Sequence, residues 1–403
     1  MTDIVVIGAG QAGSALCAKL RELGFDGRLT LVGEEPVPPY QRPPLSKKYM
    51  LGDMALERMF LRPEAFYADR DIALRLGTRA VGIDTDKRLV ALSDGTTLGY
   101  GALALTTGAP PLRLPAAIGG ALPGVHTMRT LSDADALAAK CQPGRHMLVV
   151  GGGYIGLEAA AVAASSGLKV TLVEQAPRIL CRVAAQETAD WFRDLHARHG
   201  VEIIEGTGVT RLVEQDGRVG GAVLSDGREI AADFVVVGIG IRPATGLAEA
   251  AGIDVDNGIA VDALGRTSVP GIWAAGDCAS FPYRGGRIRL ESVPNAIEHA
   301  EATAAAMLGG TEPYVARPWF WSDQYDVKLQ IAGLNAGYDR VVVRDDAGAR
   351  SHWYYAGDRL LSVDAMNNPR AYMVAKRMIE AGQSPAPDTV LDPARTLKDL
   401  MAA

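Results

Sequence analysis

Short apolar runs recur along the first two thirds of this chain. Residues 3–7, 29–32, 103–105, 147–150, 169–173 and 234–237 show little polar alternation. That pattern belongs to strands buried on both faces of a parallel sheet. Between them, residues 14–23 and the alanine-rich stretch 157–166 predict helices. One strand–turn–helix–strand unit therefore reads 147–150, Gly151-Gly152-Gly153-Tyr154-Ile155-Gly156, 157–166, 169–173, ending on the acid Glu174. A second reads 3–7, Gly8-Ala9-Gly10-Gln11-Ala12-Gly13, 14–23, 29–32, followed by Glu34 and Glu35. The glycines alone decide little, since 46 of them in 403 residues give roughly 0.6 such patterns by chance. The flanking strands, helices and acids carry the weight, and they occur twice. Each unit predicts a dinucleotide site: Gly8 and Gly151 for the tight turn, Gly10 and Gly153 for backbone approach to a pyrophosphate, Gly13 and Gly156 for packing of helix on strand. The helix N-terminus supplies N–H groups and partial positive charge to the phosphates.

The pattern repeats beyond the turns. Residues 79–84 and 89–92 predict a hairpin, Asp94-Gly95 a turn, and 103–105 a strand entering Thr106-Thr107-Gly108. Residues 209–214 and 219–224, Asp226-Gly227, and 234–237 entering Gly238-Ile239-Gly240 follow the same order. Asp94 to Asp226 and Gly108 to Gly240 are both 132 positions. This is a duplicated domain, each copy carrying an inserted β-meander. Five prolines between residues 36 and 48 predict a stiff irregular loop, able to hold Arg42 and Lys47 over an anion or to leave them as solvated cations. Residues 110–123 read as a linker, and the strand 271–275 ends on Gly276-Asp277, where ligands bind in open α/β sheets. From Trp319 the composition changes. Trp319, Trp321 and Trp353 fall among short predicted strands, with a helix at 374–381, and predict a separate α+β domain with an aromatic core. The expected fold is thus α/β: two Rossmann-like domains, each with a β-meander, plus a C-terminal α+β domain.

Length agrees with two or three domains. A net charge of −6 and a pI near 5.6 argue against nucleic acid as a partner. No apolar stretch has membrane-spanning length, and a strand starts at once, which predicts a cytoplasmic protein without a signal segment. Cys17, Cys141, Cys181 and Cys278 are scattered, which excludes a dithiol centre, a zinc cluster or a disulfide framework. No metal site is expected.

With these residues in view, the sequence resembles the FAD-dependent ferredoxin reductases of the glutathione-reductase-like superfamily, in particular the putidaredoxin reductase and aromatic-dioxygenase reductase group. The resemblance spans the chain and rests on Arg42-Pro43-Pro44-Leu45-Ser46-Lys47, residues 150–158, Val237-Gly238-Ile239-Gly240, Gly276-Asp277-Cys278, Glu291-Ser292-Val293-Pro294-Asn295-Ala296 and residues 318–324. It implies an FAD domain of residues 1–109 and 245–318, an NADH domain of 110–244, and a C-terminal interface domain of 319–403. FAD would meet the first turn (Gly8, Gly10, Ala12, Gly13), Glu34 or Glu35, Arg42 and Lys47. Ala80, Thr107, Gly108, Arg129, Gly276, Asp277 and Val293 would complete the site, with Asp277 on the ribityl chain and Trp319 near the ring. Trp321 would lie nearer the partner surface. NADH would meet Gly151, Gly153, Ile155, Gly156, Glu158, Glu174, Arg182 and Gly240.

The implied activity is hydride transfer from NADH to flavin, then single electrons to a [2Fe–2S] ferredoxin that feeds a cytochrome P450 or a ring-hydroxylating dioxygenase. Lys47 and Glu158 are candidates for an ion pair beside the flavin. Glu174 favours NADH, because a carboxylate accepts from a ribose 2′-OH and repels a 2′-phosphate; Arg178 and Arg182 leave room for the other cofactor. Rival readings are a reductase for rubredoxin or a small acceptor, and a flavin-bearing signalling protein of the apoptosis-inducing-factor kind. Arg62, Arg317, Lys328, Arg370, Lys376 and Arg377 are candidates for a basic docking patch, and Glu301 stands where the putidaredoxin reductase type has a basic residue. A monomer or weak homodimer is expected.

Overall fold

The computed structural model describes residues 3–346 and 348–401. The chain forms two compact units, one of residues 1–42, 55–110 and 241–318, the other of 43–54, 111–240 and 319–403.

The first unit is built on a parallel five-stranded sheet in the order Ile272–Ala274, Ala102–Leu105, Ile4–Ile7, Leu29–Val32, Ile72–Arg75. Its inner strands are buried along their whole length, which explains their unbroken apolar sequence. Helices Gln11–Glu22 and Val293–Met307 pack together on one face through Leu16, Leu20, Ala300 and Ala304. The antiparallel strands Ala80–Asp84, Leu89–Leu92 and Thr97–Gly99 form the meander.

The second unit repeats this plan. Its parallel sheet runs Glu202–Ile204, Lys169–Val173, His146–Val150, Phe234–Val237, Val125–His126, and its meander comprises Val209–Gln215, Arg218–Leu224 and Glu229–Ala231. The same unit carries a five-stranded antiparallel sheet in the order Trp319–Gln324, Val327–Gly333, Arg359–Met366, Ala349–Ala356, Arg340–Asp346. Helix Pro369–Glu380 covers this sheet, setting its Ala375 and Met378 in one core with Trp353 and Val363 of the strands. Trp353 is fully buried core, whereas Trp319 and Trp321 are half-buried. Among the described residues no helix is long and apolar enough to cross a membrane.

Several boundaries differ from the sequence reading for local reasons. The two turn-following helices start at Gln11 and Tyr154, so the last glycine of each turn already lies inside its helix. The proline-rich loop ends in a wide helical turn, Leu45–Tyr49, that starts directly after Pro44; proline needs no N–H donor at a helix start. The C-terminal helix begins at Pro369 rather than near 374 because the Asn368 side chain caps it, accepting from Ala371 N–H at 3.1 Å.

Candidate functional site

The two glycine turns have the same geometry. Gly8 and Gly151 have φ of +113° and +108°, and a Cβ on either would lie 2.2 Å or 2.4 Å from the carbonyl oxygen of Thr106 or Gly238. Any side chain would push the neighbouring strand away. Gly13 and Gly156 are held as tightly, each 2.0 Å at Cβ from the oxygen of the first glycine of its own turn. Gly10 and Gly153 behave differently: a Cβ on either would meet no protein atom within 4 Å, and each precedes the first turn of a helix. Nothing in the protein requires glycine there, whereas a phosphate lying against the backbone does. The two turns fit the dinucleotides expected of them.

Around the first turn, Thr106 Oγ1 donates to Gly8 O at 2.9 Å. Gly276 lies against the Ala12 methyl, since a Cβ on Gly276 would be 2.9 Å from it. Ala12, Gly276 and Asp277 thus collect beside the N-terminus of the first helix, and Val293 opens the helix packed against it. Thr107 Oγ1 donates to Ala244 O at 2.8 Å, next to Gly108. Ala80 stands in the meander, half-buried against the core. Glu34 is exposed, whereas Glu35 accepts from Tyr40 Oη at 2.6 Å and from Arg42 Nη2 at 2.8 Å. Lys47, Arg129 and Trp319 belong to the second unit.

Around the second turn, Glu174 ends its strand with both carboxylate oxygens engaged. Oε2 accepts from Gly152 N–H at 2.6 Å and Oε1 from Ala176 N–H at 2.7 Å. Arg178 spends its guanidinium on the carbonyls of Ile179 and Ala184. Arg182 is exposed, and its Nη2 would be 3.5 Å from a Cβ on Gly240. Ile155 is exposed on the first turn of the helix.

Lys47 and Glu158, 111 positions apart by their numbers, form an ion pair at 3.2 Å. Glu158 sits on helix Tyr154–Ser165 and is 5% exposed. Burial raises its carboxyl above the ordinary range, opposed by Lys47 and by the Ser322 hydroxyl, which donates at 2.8 Å. Asp323 adds its backbone N–H at 3.3 Å to Glu158, and its own carboxylate lies 3.2 Å from Lys47 Nζ. The sequence singled out Lys47 and Glu158 but gave no role to Ser46, Ser322 or Asp323. Ser322 and Asp323 stood inside the tryptophan-rich string, and only the fold of the C-terminal sheet turns them toward the helix. The four cysteines are free; Cys17 and Cys278 are buried, which pushes both thiols up and leaves them inert.

Two dinucleotide folds in tandem, with a buried lysine–carboxylate pair and no paired thiols, define an oxidoreductase that works through nucleotide cofactors. The chain belongs to the pyridine nucleotide-disulphide oxidoreductase family, whose model matches residues 2–300, and a reductase C-terminal domain follows at 319–401. It is 44% identical to a ferredoxin–NAD(P)+ reductase of Sphingomonas sp. over 99% of this chain and 97% of that protein. The fold matches putidaredoxin reductase in its covalent complex with putidaredoxin (TM-score 0.96, 39% identity, 100% of this chain and 98% of that one). It also matches the ferredoxin reductase for the CYP199A2 system from Rhodopseudomonas palustris (TM-score 0.94, 39% identity, 98% and 99%).

Proposed function

We propose that this chain is an FAD-dependent reductase that carries electrons from NADH to a [2Fe–2S] ferredoxin, which in turn serves a cytochrome P450 or a ring-hydroxylating dioxygenase. The observation that carries the reading is the pair of helix N-termini opened by Gly10 and Gly153, each free of protein atoms where a side chain would begin. Full-length similarity to ferredoxin reductases supplies the direction of electron flow. FAD, when bound, accepts electrons in pairs and releases them singly.

In this reading the first turn, Ala12, Glu34 or Glu35, Arg42, Ala80, Thr107, Gly108, Gly276, Asp277 and Val293 hold FAD, and the family resemblance assigns Lys47, Arg129 and Trp319 to the same cofactor. Gly151, Gly153, Ile155, Gly156, Glu158, Glu174, Arg182 and Gly240 hold the nicotinamide dinucleotide. Residues 1–109 and 245–318, 110–244, and 319–403 are the FAD, NADH and interface domains. Lys47 holds a cation against the buried Glu158 carboxylate, fixing the position of both groups. The Glu174 carboxylate, already ordered by two backbone N–H groups, has lone pairs left for ribose hydroxyls and opposes a 2′-phosphate. Lys328, Arg370 and Arg377 are exposed and offer cations to an acidic ferredoxin, whereas Lys376 is tied to Glu380.

The test is direct. Purified protein loaded with FAD should bleach on mixing with NADH and reduce an added [2Fe–2S] ferredoxin, more slowly as salt rises. Bleaching without ferredoxin reduction, but with fast rubredoxin or quinone reduction, would reassign the acceptor. Slow bleaching that leaves a persistent charge-transfer band would favour a signalling role.

A further inference from the structure

The helix that follows the second turn begins at Tyr154, whose ring packs against Phe320 of the antiparallel sheet, centroids 5.1 Å apart. Its hydroxyl is shielded from solvent and finds no protein partner among the described residues. Asp364 and Tyr354, close enough to bear on that hydroxyl electrostatically, belong to a fully buried polar cluster. Thr188 Oγ1 donates to Asp364 Oδ2 at 2.8 Å, and Tyr354 Oη makes a short bond to the same oxygen. His352 Nδ1 is 2.7 Å from Thr188 Oγ1, and Ala185 N–H donates to Tyr354 Oη at 3.1 Å. His352 and Asp364 are cross-strand neighbours, and Ile331 on the other side of Asp364 brings no charge. Two further atoms of this cluster, His352 Nε2 and Asp364 Oδ1, are also buried without a protein partner.

Proton bookkeeping shows what these three atoms can accept. Thr188 gives its hydrogen to Asp364, so His352 must donate from Nδ1, which leaves Nε2 as an acceptor. Asp364 Oδ1 is an acceptor when ionised, and Tyr154 Oη has a hydrogen to give. Two acceptors and one donor match one water: it donates to His352 and Asp364 and accepts from Tyr154. Three bonds is the ordinary complement of a buried water.

We propose that Asp364 is a positioning residue for the nicotinamide-dinucleotide turn, acting on Tyr154 through a water held by Tyr154 Oη, His352 Nε2 and Asp364 Oδ1. The inference rests on the reading of the second turn as that site. Tyr154 is the first helical residue, so anchoring its side chain fixes the N-terminal N–H groups that face the phosphates. A proton on Oδ1 turns an acceptor into a donor and leaves one hydrogen of the water without a taker, loosening the anchor. Burial pushes the Asp364 carboxyl up to about 6, against bonds from Tyr354 and Thr188, which brings the change into an accessible range. The groups facing Asp364 are Tyr354, His352, Thr188 and Tyr154; burial takes His352 down to about 4, with Arg350 opposing its charged form and Asp345 favouring it, so it stays neutral where Asp364 titrates.

The experiment measures the NAD+ dissociation constant of the FAD-loaded protein from about pH 5 to about pH 8 for the wild type, Asp364→Asn, Tyr154→Phe and the double variant. The wild type should bind about three- to tenfold more weakly below pH 6 than above it. Asp364→Asn and Tyr154→Phe should each bind weakly with no such step, and the double variant no more weakly than either. A wild-type step that survives in Asp364→Asn, a wild type with no step, or single effects that multiply in the double variant would overturn the proposal. Protein that binds FAD but no NAD+ at any pH would instead overturn the assignment of the second turn.

Discussion

Replacing Lys47 by methionine removes the cation from Glu158 and leaves the rest of its surroundings in place. Glu158 is 5% exposed and keeps the Ser322 hydroxyl, the Asp323 N–H and a long 3.5 Å contact from Ser46. Breaking one side of a buried pair costs about 3–5 kcal/mol, because the other charge stays behind. The Lys47 side chain retains 17% exposure and also touches Asp323, which is 41% exposed, so solvent and the partial release of Asp323 reduce the expected loss to about 2–3 kcal/mol. The pH dependence has a definite sign. Burial already raises the Glu158 carboxyl above its ordinary value, and losing Lys47 raises it further. A carboxyl raised on folding contributes stability that is fully present below its unfolded value and is lost as pH rises through the folded value. Lys47→Met should therefore lie closest to the wild type under acid conditions and fall progressively further behind as pH rises. Urea unfolding of FAD-saturated protein at several pH values measures this, and Lys47→Met combined with Glu158→Gln should recover most of the loss. Equal destabilisation at all pH values, with no recovery in the double variant, would show that Glu158 is not held by Lys47. Glu158→Gln should also slow flavin bleaching by NADH; an unchanged rate would confine the pair to structure.

Glu174→Arg should shift kcat/KM from NADH toward NADPH by about tenfold or more, measured by steady-state rates with both cofactors; an unchanged ratio would place the ribose elsewhere. Gly153→Ala should fold with wild-type stability and FAD content yet bind NAD+ at least about tenfold more weakly, because its methyl meets ligand and not protein. Gly13→Ala should instead lose stability and emerge colourless, its Cβ being forced to 2.0 Å from Gly8 O. Arg344→Met removes a buried guanidinium that binds Asp346 and the carbonyls of Val390 and Arg395. It should cost about 2–4 kcal/mol in urea unfolding and expose the C-terminal segment to proteolysis.

Local chemistry explains which elements are legible in the sequence. A strand buried on both faces must be apolar throughout, so Ile4–Ile7 and His146–Val150 announce themselves almost residue by residue. A turn that brings a helix N-terminus onto phosphate must contain glycine at fixed spacing, and duplication printed the same text twice. The helices start three residues before the positions that the sequence pattern predicts because a glycine reads as an interruption, although Gly13 and Gly156 are the helix residues on which the close approach depends.

The parts that sequence withheld depend on long-range pairing. The sequence already suggests Lys47 and Glu158 as an ion pair, but the third and fourth members of their network, Ser322 and Asp323, come from a strand of the antiparallel sheet whose place nothing local dictates. Asp364 is the extreme case. In sequence it is one acid in the strand Arg359–Met366, indistinguishable from a solvated one, and only pairing with Ala349–Ala356 sets it opposite His352. Its carboxyl costs stability at neutral pH, since its folded value of about 6 lies above its ordinary 3.8. An asparagine would keep the shape without that cost, and a hydrophobic residue would close the cluster altogether. A charge held at a loss within electrostatic reach of Tyr154 is more readily explained by a task at the nucleotide turn than by packing.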